Sequence, residues 1–155
     1  MSSFLAVAIP TEMAESVRST RKSPKYGFPA HREVAAGRAP CRHCLEIIRL
    51  HEEDLLLFTM DAFYGLDVPP SPGPVYIHAE PCARFSGKGG IPEGYRGRLL
   101  TLEAFAADRK LVAEVRVTDS QEEKIAEGMF ANPAVEYVHV RSTEAGCFLF
   151  RLERN

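Results

Sequence analysis

The apolar residues of this chain come mostly in short runs. Residues 4–9 (FLAVAI), 55–60 (LLLFTM), 75–79 (VYIHA), 135–140 (VEYVHV) and 147–152 (CFLFRL) each have the length of one strand. Each is bounded by glycine, proline or a charged cluster, the residues that turn a chain or end a ladder. Only one stretch has clear helical spacing, with Ile125, Ala126, Met129 and Phe130 on one face. A helix bundle is therefore excluded. Short strands joined by turns predict an α+β fold, a largely antiparallel sheet with two or three helices, in a single domain over residues 1–155.

The connections carry further expectations. Residues 98–117 read as a hairpin turning at ADRK, with Leu100, Leu102 and Ala104 facing Leu111, Ala113, Val115 and Val117. Ser120 and Glu123 form a capping-box pattern before the apolar helix, and Asn132-Pro133 stops it. Residues 11–21 are polar and suit a helix, and LEII at 45–48 suits one or two helical turns. The segment KSPKYGFPAHREVAAGRAP is punctuated by Pro24, Gly27, Pro29, Gly37 and Pro40 and predicts a long irregular loop, a kind that often carries function. DVPPSPGP is expected as a loop, since prolines cannot join a central ladder. CARFSGKGGIPEGYRG reads as a glycine-rich surface connection. It is not a phosphate-binding loop, because Gly87-Lys88 is followed by Gly89 instead of Ser or Thr.

With 155 residues, 45% apolar and 26% charged, the chain can bury a real core. Its net charge of −2 gives no electrostatic footprint for nucleic acid. The local basic run of Arg18, Arg21, Lys22, Lys25 and Arg32 is expected to be a solvated loop. No apolar stretch is long enough for a membrane span, and FLAVAIP is too short for an export signal. A cytoplasmic setting is the resulting expectation. There thiols stay reduced, so Cys41, Cys44, Cys82 and Cys147 are expected as thiols or ligands.

The densest chemistry lies in APCRHCLEII, residues 39–48. Cys41 and Cys44 have the spacing that lets a tight turn present two sulfurs to one zinc ion. A closed site needs two more donors, and the nearest candidates are in HAEPC. His78 and Glu80 share a strand face about 7 Å apart, whereas Cys82 would sit about 13 Å from His78 if the strand continued. Only a turn at Glu80-Pro81 would bring Cys82 in. A site of Cys41, Cys44 and His78 with an open position, and Glu80 as acid/base or ligand, follows from that geometry. HAE and PCxxC are also the two halves of the zinc nucleobase deaminase signature, but here their order is reversed and HAE ends a strand. The thiol pair would equally suit redox chemistry or a nucleophile activated by His43, His51 or His78. Packing as small hydrophobes is the further alternative, and it is the expectation for Cys147. His139, alternating with Val135 and Tyr137, reads as a sheet histidine.

PCRHCL, LLLF, GPVYIHAEPC, the hairpin and VHVRSTEAGCFLFRLER together resemble the bacterial domain of unknown function 1203 family from about Pro40 to the C-terminus. The resemblance implies a small bacterial protein and supplies no catalytic residues. Its most specific pieces are Pro40-Cys41-Arg42, His78-Ala79-Glu80, and Arg141 followed by Gly146-Cys147. It directs attention to Arg42 and Arg141, because two guanidinium forks suit a carboxylate or phosphate. The leading expectation is a polar pocket of Cys41, Arg42, His78, Glu80 and Arg141 that binds a small anionic molecule. The alternatives are a zinc- or thiol-dependent enzyme using Cys41 and Cys44 with His78, and a scaffold or interaction protein without a pocket.

Overall fold

Two sheet systems, each built by antiparallel pairing, organise the protein. The computed structural model describes residues 2–87 and 89–155. In chain order the elements are β1 (Phe4–Val7), α1 (Thr11–Thr20), β2 (His31–Val34), β3 (Ala39–Pro40), β4 (Ile47–Ile48), β5 (Asp54–Asp61) and β6 (Pro72–His78). A 3-10 turn (Glu93–Tyr95), β7 (Leu100–Phe105), β8 (Leu111–Val117), α2 (Glu122–Phe130), β9 (Tyr137–Ser142) and β10 (Phe148–Arg154) follow. The expected α+β class with mostly antiparallel sheet is what the chain adopts. By compactness the chain divides into two units, residues 1–7 with 86–155 and residues 8–85.

The first unit is a five-stranded sheet in the order β1-β10-β9-β7-β8. Its register sets Leu102 opposite Val140 and Val140 opposite Phe150, so the inward residues form rows across the sheet. All three are buried, as are Ala126, Met129 and Phe130 of α2. The apolar spacing of α2 is thus used as the sequence implies. Its expected capping box does not form. Gln121 occupies the N-cap with no side-chain cap, and Glu123 Oε1 instead accepts from Ile91 N at 2.7 Å and Arg96 Nη2 at 2.9 Å. Those bonds fasten the glycine-rich connection, whose Ile91 and Tyr95 are buried rather than on a free surface loop. Lys88, weighed above for phosphate binding, lies outside the described residues. His139 stands in β9 with no exposure, its ring centroid 5.1 Å from that of Phe105 and 4.9 Å from that of Phe148. Cys147 is only half-buried, just before β10.

The second unit carries the three-stranded sheet β2-β5-β6, the two-stranded β3-β4 hairpin and α1. Three local expectations change here. The long irregular segment contains β2, which pairs Arg32 with Leu56 on β5. LEII is not helical, because Ile47 and Ile48 pair with Pro40 and Ala39. Pro72 and Pro74 belong to β6 and lie opposite Asp61 and Thr59. They are tolerated because β6 is an edge strand, where a missing N–H faces no ladder partner.

Candidate metal centre

The PCRHC segment is the tip of the β3-β4 hairpin. Cys41 N donates to Glu46 O and Leu45 N to Cys41 O, both at 2.9 Å, which closes the turn and brings Cys41 and Cys44 to the same side. The turn needs a left-handed residue, and Leu45 takes that role with φ 60°. Its backbone is held on three further sides. Arg42 N donates to Tyr76 O, Ile9 N to Arg42 O and Phe85 N to His43 O, at 3.0, 3.1 and 3.0 Å.

His78 is the last residue of β6. The chain then bends, with Ala79 N donating to Asp54 O at 3.0 Å, and residues 81–87 run without helix or strand. This bend decides the site. It returns Cys82 toward His78 instead of carrying it away along an extended strand. The donor atoms of Cys41, Cys44, His78 and Cys82 all lie within 4.8 Å of one another. Cys41 Sγ and Cys82 Sγ are 3.8 Å apart, and Cys44 Sγ and His78 Nδ1 are 3.4 Å apart. A tetrahedral zinc ion with bonds of about 2.3 Å to sulfur and about 2.0–2.1 Å to nitrogen has edges of about 3.8 and 3.5 Å. The two observed separations have those lengths. The sulfur–sulfur separation is also far from the disulfide length of about 2.05 Å, and all four cysteines are free.

The surroundings suit a negatively charged sulfur cluster. Arg18 Nη2 donates to Cys82 Sγ at 3.3 Å, and His43 Nδ1 lies 3.2 Å from the same sulfur. His78 N donates to Cys41 Sγ at 3.3 Å. Thr11, Ala14 and Arg18, spaced three and four apart, stand on one face of α1. Thr11 Oγ1 meets His43 Nε2 at 3.0 Å, and Arg18 Nε donates to His78 O at 3.1 Å. Burial, followed by the Arg18 charge, holds the His43 pKa below its ordinary value. A neutral His43 can then donate through Nδ1 to sulfur and accept from Thr11 through Nε2. Glu53 Oε1 lies 3.3 Å from His78 Nε2, completing the carboxylate–histidine arrangement that fixes a ligand imidazole. The backbone N–H of Arg49, ahead of the His78 charge, lowers the Glu53 pKa.

Hydrogen bonding by Cys44 and then Cys82 holds the Cys41 thiol far below its usual range. The Cys44 thiol is pushed up, first by its bond to Cys41. Hydrogen bonding to Cys41 and then Cys82 raises His78 to about 10, against burial. A cation entering this cluster would replace protons.

The expected site residues separate. Cys41, Cys44 and His78 are brought together. Glu80 stands at the edge of the site, 75% exposed in its side chain, and accepts from Arg32 Nη2 at 2.9 Å. Arg42 is 1% exposed, with Nη1 donating to Pro40 O at 2.6 Å and its guanidinium over the Tyr76 ring. Arg141 belongs to the other unit, where Nε donates to Glu103 at 2.7 Å and Nη1 to Gly146 O at 3.1 Å. Arg18, read from sequence as part of a solvated basic loop, is instead a helical partner of Cys82. Cys82, which the sequence admits only through a turn at Glu80-Pro81, is the fourth donor, and the member not foreseen is Glu53 behind His78. The signal for Cys82 was Pro81 after Glu80, which breaks the strand. Glu53 left none, since its approach depends on the β5-β6 pairing.

A cleft of about 290 Å³ adjoins the cluster, lined in part by Cys44, His78, Cys82, Glu46, Glu53 and Glu80. Neither Arg42 nor Arg141 is among the residues lining it. Among the described residues, no helix is long and apolar enough to cross a membrane. A family model described as "Protein of unknown function (DUF1203)" matches residues 38–154, a span that includes all four donors. No curated protein and no solved structure matches the chain.

Proposed function

This chain belongs to the DUF1203 family, and we propose that it is a zinc-binding protein in which Cys41, Cys44, His78 and Cys82 hold one ion. The observation that carries the reading is the convergence of four soft and borderline donors within 4.8 Å, with Glu53 behind the imidazole. Three thiolates and an imidazole favour zinc over hard, oxygen-seeking cations. Four protein donors make a closed site, whose role is to fix structure. The place for such a clip is physically apparent. The strands of the β3-β4 hairpin have only two residues each, and residues 81–87, which carry Cys82, have no helix or strand, so an ion would tie a short hairpin to an irregular segment.

Elemental analysis of untagged protein, purified under reducing conditions without chelator, tests this directly. The expected result is one zinc per chain, lost in Cys44→Ser. Glu53→Gln should keep the ion but bind it about 10- to 100-fold more weakly in a competitive chelator titration. Protein without bound metal, and without affinity for added zinc, would sink the reading.

The cleft favours a second reading, a small-molecule site beside the ion. Its charged lining is Glu46, Glu53 and Glu80, which suits a neutral or cationic molecule better than the anionic one that Arg42 and Arg141 suggested. Ligand screening of the zinc-loaded protein separates those classes.

A further inference from the structure

Three of the four donors are buried, and Cys82 alone is half-exposed, on the wall of the cleft. Its neighbours differ in mechanical support. Cys41 sits in a hairpin tip fastened by backbone bonds, whereas Cys82 lies in a segment without helix or strand. Its sulfur is 3.8 Å from Cys41 Sγ, so a side-chain rotation closing that gap by less than 2 Å reaches disulfide length. Arg18 stands beside the same sulfur.

We propose that Cys82 is a modification site, at which hydrogen peroxide oxidises the zinc centre, forms a Cys41–Cys82 disulfide and releases the ion. The proposal rests on the zinc reading above. The Cys82 thiolate attacks one peroxide oxygen; a sulfur–oxygen bond forms, the oxygen–oxygen bond breaks and hydroxide departs. The guanidinium of Arg18 faces the negative charge that develops there. Cys41 thiolate then attacks the Cys82 sulfenic acid, forming the sulfur–sulfur bond and expelling a second hydroxide. Two electrons pass from the two sulfurs to the peroxide, and two protons turn the hydroxides into water. With two of its four donors gone, zinc leaves as the divalent ion. A dithiol reductant restores both thiols and the binding site.

The experiment uses zinc-loaded Cys147→Ser protein, which removes the one thiol outside the cluster. Metal content is measured first. Hydrogen peroxide is then added, freed zinc is followed with a chromogenic chelator, and remaining thiols are alkylated for peptide mapping. The expected outcome is one zinc released per peroxide consumed, with Cys82 linked to Cys41, and recovery on adding dithiol and zinc. Zinc retained with all thiols alkylatable in about tenfold excess peroxide would overturn the proposal. So would release accompanied by a Cys41–Cys44 disulfide and a free Cys82. Protein that carries no zinc before peroxide is added would overturn the zinc reading as well, and the first measurement identifies that case.

Discussion

His139 and His78 carry the same side chain in opposite electrostatic settings. His78 is drawn toward its charged form by the thiols around it, whereas burial, reinforced by the Arg151 charge, lowers His139 to about 2. An unfolded histidine titrates near 6.5, so between about 6.5 and 2 the unfolded chain binds a proton that folded His139 does not. Stability therefore falls as pH drops below about 6.5, approaching 1.4 kcal/mol per pH unit from this residue. Replacing it by another ring, His139→Phe, should remove about 2 kcal/mol of the stability loss between pH 7 and pH 5 in urea unfolding. Equal losses in the two proteins would mean that another group dominates. From sequence, the placement of His139 in a sheet was legible through its alternation with Val135 and Tyr137. Its burial was not, because the Phe105 and Phe148 rings come from other strands.

At the scale of elements, the hairpin tip shows a local conflict settled by its surroundings. LEII has good helical propensity, yet Leu45 adopts the left-handed region and Ile47–Ile48 form β4. A left-handed leucine costs about 1–2 kcal/mol, whereas burying its side chain returns more than that. Leu45 is 3% exposed. Glycine would relieve the backbone but empty the side-chain site. Leu45→Gly should thus destabilise the zinc-free protein by roughly 1–3 kcal/mol in denaturant unfolding. A more stable variant would show that backbone strain outweighs packing at this turn. The same competition explains the missing capping box: Glu123 serves Ile91 and Arg96 instead of its own helix end, a choice no local pattern reveals.

For the whole molecule, the zinc reading makes stability dependent on metal. An ion bound a thousandfold above its dissociation constant stabilises by about 4 kcal/mol. Removing it with chelator should speed hydrogen exchange at the amides of residues 39–48 and 76–85. Residues 100–105 and 148–154, in the unit without cluster donors, provide the internal reference. Unchanged exchange near Cys41 and His78 would contradict a clip there. The sequence by itself determined the alternation of strands, the apolar face of α2 and the chelating spacing of Cys41 and Cys44, because these depend on periods of two, 3.6 and one tight turn. Only the tertiary structure decided that Cys82 turns back to His78, that Arg18 and Glu53 flank the donors, and that Arg42 is buried away from the cleft. Those placements depend on a bend after His78 and on pairing between segments far apart in the chain, where spacing along the sequence no longer measures distance.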